Sequence, residues 1–138
     1  ACDELGLEIP EEYVREGVYH DPDRCAELTQ ELLKLEVPPT CILMPDDISS
    51  IGGGNAIRRM GFRLPGDVSE AGYDGIQLSS VMNPPLTTYR QDTQALGKTA
   101  AAKLIELIEK PRTALVDRIL IPGRLVEGAS VQAIEPQE

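Results

Sequence analysis

Aromatic and histidine residues are scarce in this chain. Its 138 residues include no Trp, one Phe and one His. Single-stranded nucleic acids are bound on stacking aromatic side chains, so this composition argues against such a role. One histidine also excludes a metal site built from several His ligands. The sequence therefore predicts no metal centre of this type.

A basic surface is also lacking. The chain has 23 Asp and Glu against 13 Lys and Arg, which gives a formal net charge of -10 at pH 7. Nucleic-acid backbones are bound by basic patches, so we do not expect this chain itself to bind DNA. A basic domain elsewhere in a longer protein would be a separate matter. The sequence shows no signal peptide and no apolar run long enough to span a membrane.

The three cysteines do not resemble a disulfide framework. Cys2, Cys25 and Cys41 form an odd set without CxxC spacing. We expect Cys25 on the apolar face of a helix and Cys41 inside a strand, both as small core residues of a cytosolic protein. The chain opens without Met in what looks like the last turn of a helix, so we interpret it as a fragment.

What is present is an alternation of strands and helices within the length of one domain. Apolar runs and turn residues predict strands at Tyr13–Val18, Thr40–Met44, Val68–Tyr73, Leu86–Arg90, Val116–Ile121 and Leu125–Val126. Apolar stripes predict the end of a helix at Ala1–Leu5 and helices at Asp23–Leu35, Ile48–Met60 and Thr93–Glu109. This order predicts an α/β fold, a mostly parallel open sheet with helices on both faces.

Acidic residues follow two of the predicted strands. Asp46 and Asp47 come after Thr40–Met44, and Asp74 ends the stretch Gly72–Asp74. Ligands of open α/β sheets bind beyond the carboxyl ends of the strands. The alternative for Asp46 or Asp47 is a structural role as the N-cap of the next helix.

Two ligand chemistries fit these carboxylates. One is a Mg²⁺ site of the phospho-receiver type, which also needs a Lys at a strand end, whereas Lys98 falls inside a predicted helix. The other is a polyhydroxylated ligand, because a carboxylate accepts hydrogen bonds from two hydroxyls at once. Tyr19, after the first predicted strand, would supply an aromatic wall for a sugar ring. His20 has no nucleophile placed by a motif, so a catalytic triad is not predicted.

Two further features are unusual for their predicted elements. Gly52, Gly53 and Gly54 stand inside a predicted helix, several residues after the strand and without a following Lys. This spacing favours close helix packing over a phosphate-binding loop, so we expect no nucleotide and no other cofactor. Glu70 lies within a strand expected to be covered on both faces, where a buried carboxylate is costly.

Two stretches of the sequence are typical of a known protein family. They are GFRLPGDVSEAGYDG, at 61–75, and PPLTTYRQDTQALGKTAAAKLIELIE, at 84–109. Together with Asp47, Gly52, Leu120, Pro122 and Ser130, they closely resemble the effector-binding core of the lactose-repressor/galactose-repressor family. The resemblance runs from about Leu5 to Ser130. Departures from the family pattern include the pair Glu70–Ala71, where apolar residues are usual, and Gly75, where an acidic or amide residue is usual.

The resemblance implies a cytoplasmic transcription regulator that acts as a homo-oligomer and is not an enzyme. A small effector, sugar or nucleobase, would bind between two periplasmic-binding-protein-like lobes, and operator DNA would bind only a domain missing from this chain. By position, the effector contacts would be Asp46, Asp74, Tyr19 and Gln91.

The same resemblance divides the chain into a truncated second lobe at 1–91, a helix at 92–112 that crosses to the first lobe, and return strands with a tail at 113–138. Two alternatives remain open on the residues alone. One is a periplasmic sugar-binding protein of a transporter, and the other is a Mg²⁺-dependent receiver or phosphotransfer domain.

Overall fold

The structure is a computed structural model that describes residues 2–113 and 118–133. Its helices are α1 (Pro22–Leu33), α2 (Asp47–Arg59) and α3 (Thr93–Glu109). Its strands are β1 (Cys41–Leu43), β2 (Ser69–Asp74), β3 (Thr87–Arg90) and β4 (Arg124–Val126). Short 3₁₀ turns lie at Asp3–Leu5, Glu11–Tyr13 and Gln77–Val81.

The four strands form one sheet in the order β1-β2-β3-β4. Strands β1, β2 and β3 are parallel, and β4 runs antiparallel to β3. Ile42 lies opposite Glu70, and Tyr73 lies opposite Tyr89. The predicted fold class, a mostly parallel open α/β sheet, is confirmed. The carboxyl ends of β1 and β2 are therefore neighbours at one edge.

Helices α1 and α2 pack on each other, and α2 packs on β2. Pro22 is the first residue of α1, as predicted. Asp21 precedes it as the N-cap, and its side chain accepts a hydrogen bond from the Arg24 N–H. The apolar core lies between these helices and the sheet, and consists of Cys25, Leu32, Leu33, Ile42, Met44, Ile57 and Val68. The core position predicted for Cys25 is confirmed.

The glycine run allows the two helices to approach closely. A Cβ atom on Gly52 would stand 1.7 Å from the carbonyl oxygen of Pro22, so no side chain fits there. All three glycines lie inside α2 and are buried. The close-packing interpretation is confirmed, because the glycines do not form a loop that could surround a phosphate.

The opposite face of the sheet is exposed in the described part of the chain. Leu43 is 77% exposed and Leu125 60%, beside a stacked pair formed by Tyr73 and Tyr89. Cys41 also points to this side and is exposed, so its predicted core position is wrong. Strand β1 buries only Ile42. The helices α1 and α2 lie on the other face, and no described helix packs over Leu43 and Tyr73.

The predictions for the two ends of the chain agree less well with the structure than those for the middle. Tyr13–Val18 is not a strand: Glu11–Tyr13 is a 3₁₀ turn, and the residues after it are extended but unpaired. Val14 and Val18 are exposed instead of packed. At the amino terminus, the predicted helix end is a 3₁₀ turn closed by Gly6 at a φ of 66°, while Ala1 lies outside the described residues.

The carboxyl-terminal strands are confirmed only in part. The strand predicted at Leu125–Val126 is β4. Of the one predicted at Val116–Ile121, residues 116–117 lie outside the described residues, and 118–121 are not in a strand.

Helix α3 has the predicted bounds, Thr93–Glu109, and Asp92 caps it by accepting from the Ala95 N–H. None of its residues is buried. Its apolar stripe is uncovered: Leu104 is 59% exposed and Ile108 70%. The helix is thus formed by local signals, and no residue of it is buried against the rest of the described chain.

Candidate functional site

The candidate site lies where the carboxyl ends of β1 and β2 meet the segment before α1. The backbone N–H of His20 donates to Asp46 Oδ2 at 2.9 Å, and His20 Nε2 lies 4.0 Å from Asp74 Oδ2. The structure thereby joins the three strand-end stretches that the sequence singled out. Tyr19, Asp46 and Asp74 belong to one edge of the fold.

Asp46 is fully buried and caps α2. Its Oδ1 accepts from the Ser49 N–H at 2.8 Å, and its Oδ2 accepts from the Ser49 hydroxyl at 2.8 Å and from His20 N–H. Burial disfavours the charge of Asp46, but the hydrogen bonds from His20 and Ser49 outweigh it and lower the pKa of the carboxyl. Asp46 is therefore a charged anchor that holds the backbone at His20.

Asp47 is fully buried as well, at the first position of α2. It accepts from Ile76 N–H at 2.9 Å, Ser79 Oγ at 2.8 Å and Thr88 Oγ1 at 2.6 Å. These donors come from the loop after β2 and from β3. Asp47 is thus not the N-cap, which is Asp46, and its carboxylate fixes α2 to two neighbouring elements.

Asp74 is the partly exposed carboxylate of the edge, with 27% of its side chain accessible. Gln91 holds it at two points: Gln91 Nε2 donates to Asp74 Oδ1 at 2.6 Å, and the Gln91 N–H donates to the Asp74 carbonyl at 3.2 Å. The φ of Asp74 is 102°, a conformation that non-glycine residues rarely adopt. The other oxygen, Oδ2, lies 4.0 Å from His20 Nε2.

The other exposed groups are Tyr19 and His20. Tyr19 is 69% exposed, and the His20 side chain is 65% exposed. His20 also has a positive φ, 58°. From the sequence alone, His20 is considered only as a catalytic base, and its place at this edge beside Asp46 and Asp74 is not predicted. The available signal was its place next to Tyr19, directly after a predicted strand.

Glu70 lies below this edge, fully buried in β2. Neither carboxylate oxygen forms a hydrogen bond of normal geometry, and burial raises the pKa of Glu70 to about 8. A Cβ on Gly54 would stand 2.8 Å from Oε2, and one on Gly53 3.2 Å from Oε1. The glycines thus provide the space that Glu70 fills.

The arrangement does not match a metal-dependent receiver. Within residues 2–113 and 118–133, no three His, Cys, Asp or Glu side chains are grouped as ligands of one ion. Asp46 and Asp47 are engaged by protein donors, and Lys98 lies in α3. The edge instead presents one carboxylate, one imidazole and one phenol, a set suited to hydrogen bonding and ring contact.

The fold and this edge define a class: an α/β lobe that holds polar groups at the carboxyl ends of its parallel strands, where small ligands bind. The model of the family described as periplasmic binding protein-like domain matches residues 1–131. The chain belongs to this family, and its predicted resemblance to the lactose-repressor/galactose-repressor regulators is confirmed.

Several relatives of this chain are named as transcriptional repressors. The "HTH-type transcriptional repressor PurR" of Mannheimia succiniciproducens is 36% identical over 134 residues, which are 97% of this chain and 40% of the relative. The chain thus spans less than half the length of that repressor. No helix in the described ranges is both long and apolar enough to cross a membrane.

Two solved structures are similar in fold. The complex of the transcriptional regulator CelR with cellobiose matches with a TM-score of 0.86 and 26% identity, over 94% of this chain and 39% of that one. The lac repressor dimer bound to operator and the anti-inducer ONPF matches with a TM-score of 0.72 and 32% identity, over 80% of this chain and 38% of that one.

Proposed function

We propose that this chain is the effector-binding lobe of a DNA-binding transcription regulator of the lactose-repressor/galactose-repressor type. The observation that carries the proposal is the 36% identity to a transcriptional repressor over 97% of the chain. The relatives are repressors rather than enzymes, and we propose no catalytic activity. The whole protein would work in the cytoplasm as a homo-oligomer and would bind operator DNA through a domain outside this chain.

The effector is proposed to be a polyhydroxylated small molecule, a sugar or a related compound. The Asp74 carboxylate is partly exposed, and Gln91 is bound to only one of its oxygens. A charged acceptor of this kind pairs with ligand hydroxyls. Tyr19 would cover the apolar face of a ring. Gln91 would act through Asp74, which it holds, and Asp46 through the backbone of His20. The cellobiose complex of CelR supports a ligand of this class.

The division at residues 91 and 112 is part of the same proposal. Residues 1–91 would form the second lobe, 92–112 the segment that crosses to the first lobe, and 113–138 the return strands and tail. The absence of any buried residue in α3, together with its exposed Leu104 and Ile108, supports a partner for this helix outside the described chain. Ligand binding between the lobes would close them and change operator affinity.

The test uses the full-length protein and DNA selected from a random library for binding to it. Fluorescence anisotropy measures the dissociation constant for that DNA with and without D-glucose, D-galactose, D-ribose or cellobiose. We expect at least one sugar to change DNA affinity about tenfold or more, the size of a typical allosteric coupling. Failure to select any DNA would contradict the proposed role as a DNA-binding regulator. DNA binding that none of the sugars changes would contradict the proposal that the effector is a sugar.

A further inference from the structure

The carboxyl group of Glu70 is fully buried between β2 and α2. Among the residues that the structure describes, its two oxygens are the buried side-chain nitrogen or oxygen atoms without a hydrogen-bond partner. A buried polar group of this kind is rare in native proteins and costs free energy. Its presence in a well-packed part of the fold points to a role other than packing.

Arg58 lies close to this carboxyl group without binding it. It follows Gly54 by one turn of α2 and is exposed. Its Nη1 is 3.4 Å from the position that a Cβ of Gly54 would take, and Glu70 Oε2 is 2.8 Å from the same position. Gly54 has no side chain to separate the two groups. The Arg58 Nη2 instead donates to the carbonyl oxygen of Asn83.

Asn83 belongs to the loop between β2 and β3, and helix α2 holds this loop at two points. At the start of the helix, Asp47 accepts from the Ile76 N–H at 2.9 Å and from Ser79 Oγ at 2.8 Å. In the last turn of the helix, Arg58 donates to Asn83. The second of these contacts is made by the arginine that lies beside the unpartnered carboxyl group.

We propose that Glu70 and Arg58 form a pH-sensitive switch that controls whether α2 holds the Asn83 end of this loop. When Glu70 is protonated, its neutral carboxyl leaves the Arg58 guanidinium on the Asn83 carbonyl. When Glu70 loses its proton, an unpaired carboxylate in the core is costly, and Arg58 turns inward to pair with it. The Asn83 carbonyl then loses its donor, and this end of the loop is released.

The groups around Glu70 set the pH at which the switch operates. Burial raises the pKa of Glu70 to about 8, while the Arg58 charge and the Gly54 N–H act in the opposite direction. Helix α1 contributes Cys25, and burial raises the pKa of this thiol as well. Strand β1 places Ile42, which does not titrate, opposite Glu70. Glu70 is therefore mainly protonated below about pH 8 and ionised above it.

The experiment follows the Asn83 carbonyl by NMR in the full-length protein between pH 6 and pH 9.5. Asparagine is labelled with ¹³C at the carbonyl and proline with ¹⁵N, because Asn83 is followed by Pro84. The signal of this pair is identified by its loss in Asn83→Ser. A carbonyl carbon changes its chemical shift when a hydrogen bond to its oxygen is lost, so the signal reports the contact with Arg58.

We expect the wild-type signal to titrate with a midpoint near pH 8. Glu70→Gln should keep the signal at its low-pH position, because an amide does not ionise. Arg58→Ala should hold it at the high-pH position throughout. Arg59→Ala removes the neighbouring exposed arginine of α2 and should match the wild type. Hydrogen exchange at pH 7 should be several-fold faster in the loop of Arg58→Ala than in that of Arg59→Ala.

Three results would overturn the switch. The first is a wild-type Asn83 signal that does not move between pH 6 and pH 9.5. The second is a titration that persists in Glu70→Gln, which would assign the change to another group such as Cys25. The third is an unchanged titration, or unchanged loop exchange, in Arg58→Ala. This last variant changes an exposed residue, so it tests the proposal even if Glu70→Gln does not fold.

Discussion

Glu70 is a carboxyl group whose burial has a measurable consequence. Its pKa is raised from 4.5 to about 8 by burial, so the folded state binds a proton that the unfolded state releases above pH 4.5. The stability associated with the protonated form is therefore fully present below about pH 4.5 and is lost as the pH rises toward 8. The loss has a slope of about 1.4 kcal/mol per pH unit in this window.

Glu70→Gln should remove this slope, because an amide does not titrate. We expect the difference in unfolding free energy between Glu70→Gln and the wild type to shift in favour of the variant from pH 5 to pH 8. Urea unfolding at several pH values measures this difference. Glu36→Gln, at an exposed position, is the control and should show no such change. If the free energies of unfolding of Glu70→Gln and the wild type change with pH in parallel, Glu70 is not a buried carboxyl that stays protonated in the folded state.

Asp74 is the residue on which the proposed effector site depends most. In the full-length protein, Asp74→Ala should weaken sugar binding by about 1–3 kcal/mol, because ligand hydroxyls lose a charged acceptor. Ala also strains the backbone at a φ of 102°. Asp74→Asn separates the two effects, since Asn tolerates this conformation. Calorimetry that finds an unchanged dissociation constant in both variants would remove Asp74 from the site.

At the scale of elements, the contact between α1 and α2 depends on the absence of a side chain at residue 52. A Cβ there would meet the carbonyl oxygen of Pro22 at 1.7 Å, and this backbone atom cannot rotate away. Gly52→Ala should therefore push the helices apart and destabilise the fold by about 2 kcal/mol or more, as overpacked cores do. Thermal or urea unfolding of the variant measures the loss.

A matched substitution is available in α3. Gly97 is also inside a helix, but a Cβ there would have no atom within 4 Å. Gly97→Ala should stabilise the chain by up to about 1 kcal/mol, the difference in helix propensity. The same Gly→Ala substitution would then destabilise the fold in α2 and stabilise it in α3. A stabilised Gly52→Ala variant would show that α1 and α2 do not approach as closely as the structure has them.

At the scale of the whole molecule, two apolar surfaces are uncovered in the described chain. One is the α3 stripe with Leu104 and Ile108, and the other is the sheet face with Leu43 and Leu125. Exposed patches of this kind promote association. We expect the 138-residue chain to form dimers at micromolar concentration, by packing or exchange of α3. Light scattering after size exclusion measures the mass.

Variants distinguish the two surfaces. The double substitution Leu104→Lys and Ile108→Lys should yield monomers if α3 forms the contact, while Leu43→Lys should leave the dimer intact. The reverse result would assign the association to the sheet face. A monomer mass for the wild-type chain, with thermal unfolding independent of concentration, would contradict association altogether.

The isolated chain should also bind ligands poorly. A cleft buries most of a small ligand, whereas this lobe offers one edge on which Tyr19 is 69% exposed. With a net charge of -10, the chain should not bind DNA. Calorimetry with cellobiose and gel shifts with the selected DNA test both points. Micromolar sugar binding, or a salt-dependent shift by this chain alone, would contradict them.

The sequence by itself determined the elements that neighbours along the chain specify. The apolar stripe and polar ends of Thr93–Glu109 predicted α3 to the residue, and Pro22 and Gly61 marked helix ends that the structure contains. The alternation of strands and helices predicted the parallel sheet. It also placed Asp46 and Asp74 at adjacent strand ends, because the carboxyl ends of parallel strands share an edge.

Only the tertiary structure decided which partners these residues have. Asp46 and Asp47 are adjacent in sequence, but one caps α2 and holds His20, while the other binds donors from β3 and the loop after β2. Cys41 is exposed because β1 is covered on one face, and Tyr13–Val18 is unpaired because a strand needs a neighbour. Helix signals act over a few residues, whereas burial, strand pairing and the gap between His20 and Asp74 depend on segments distant in sequence.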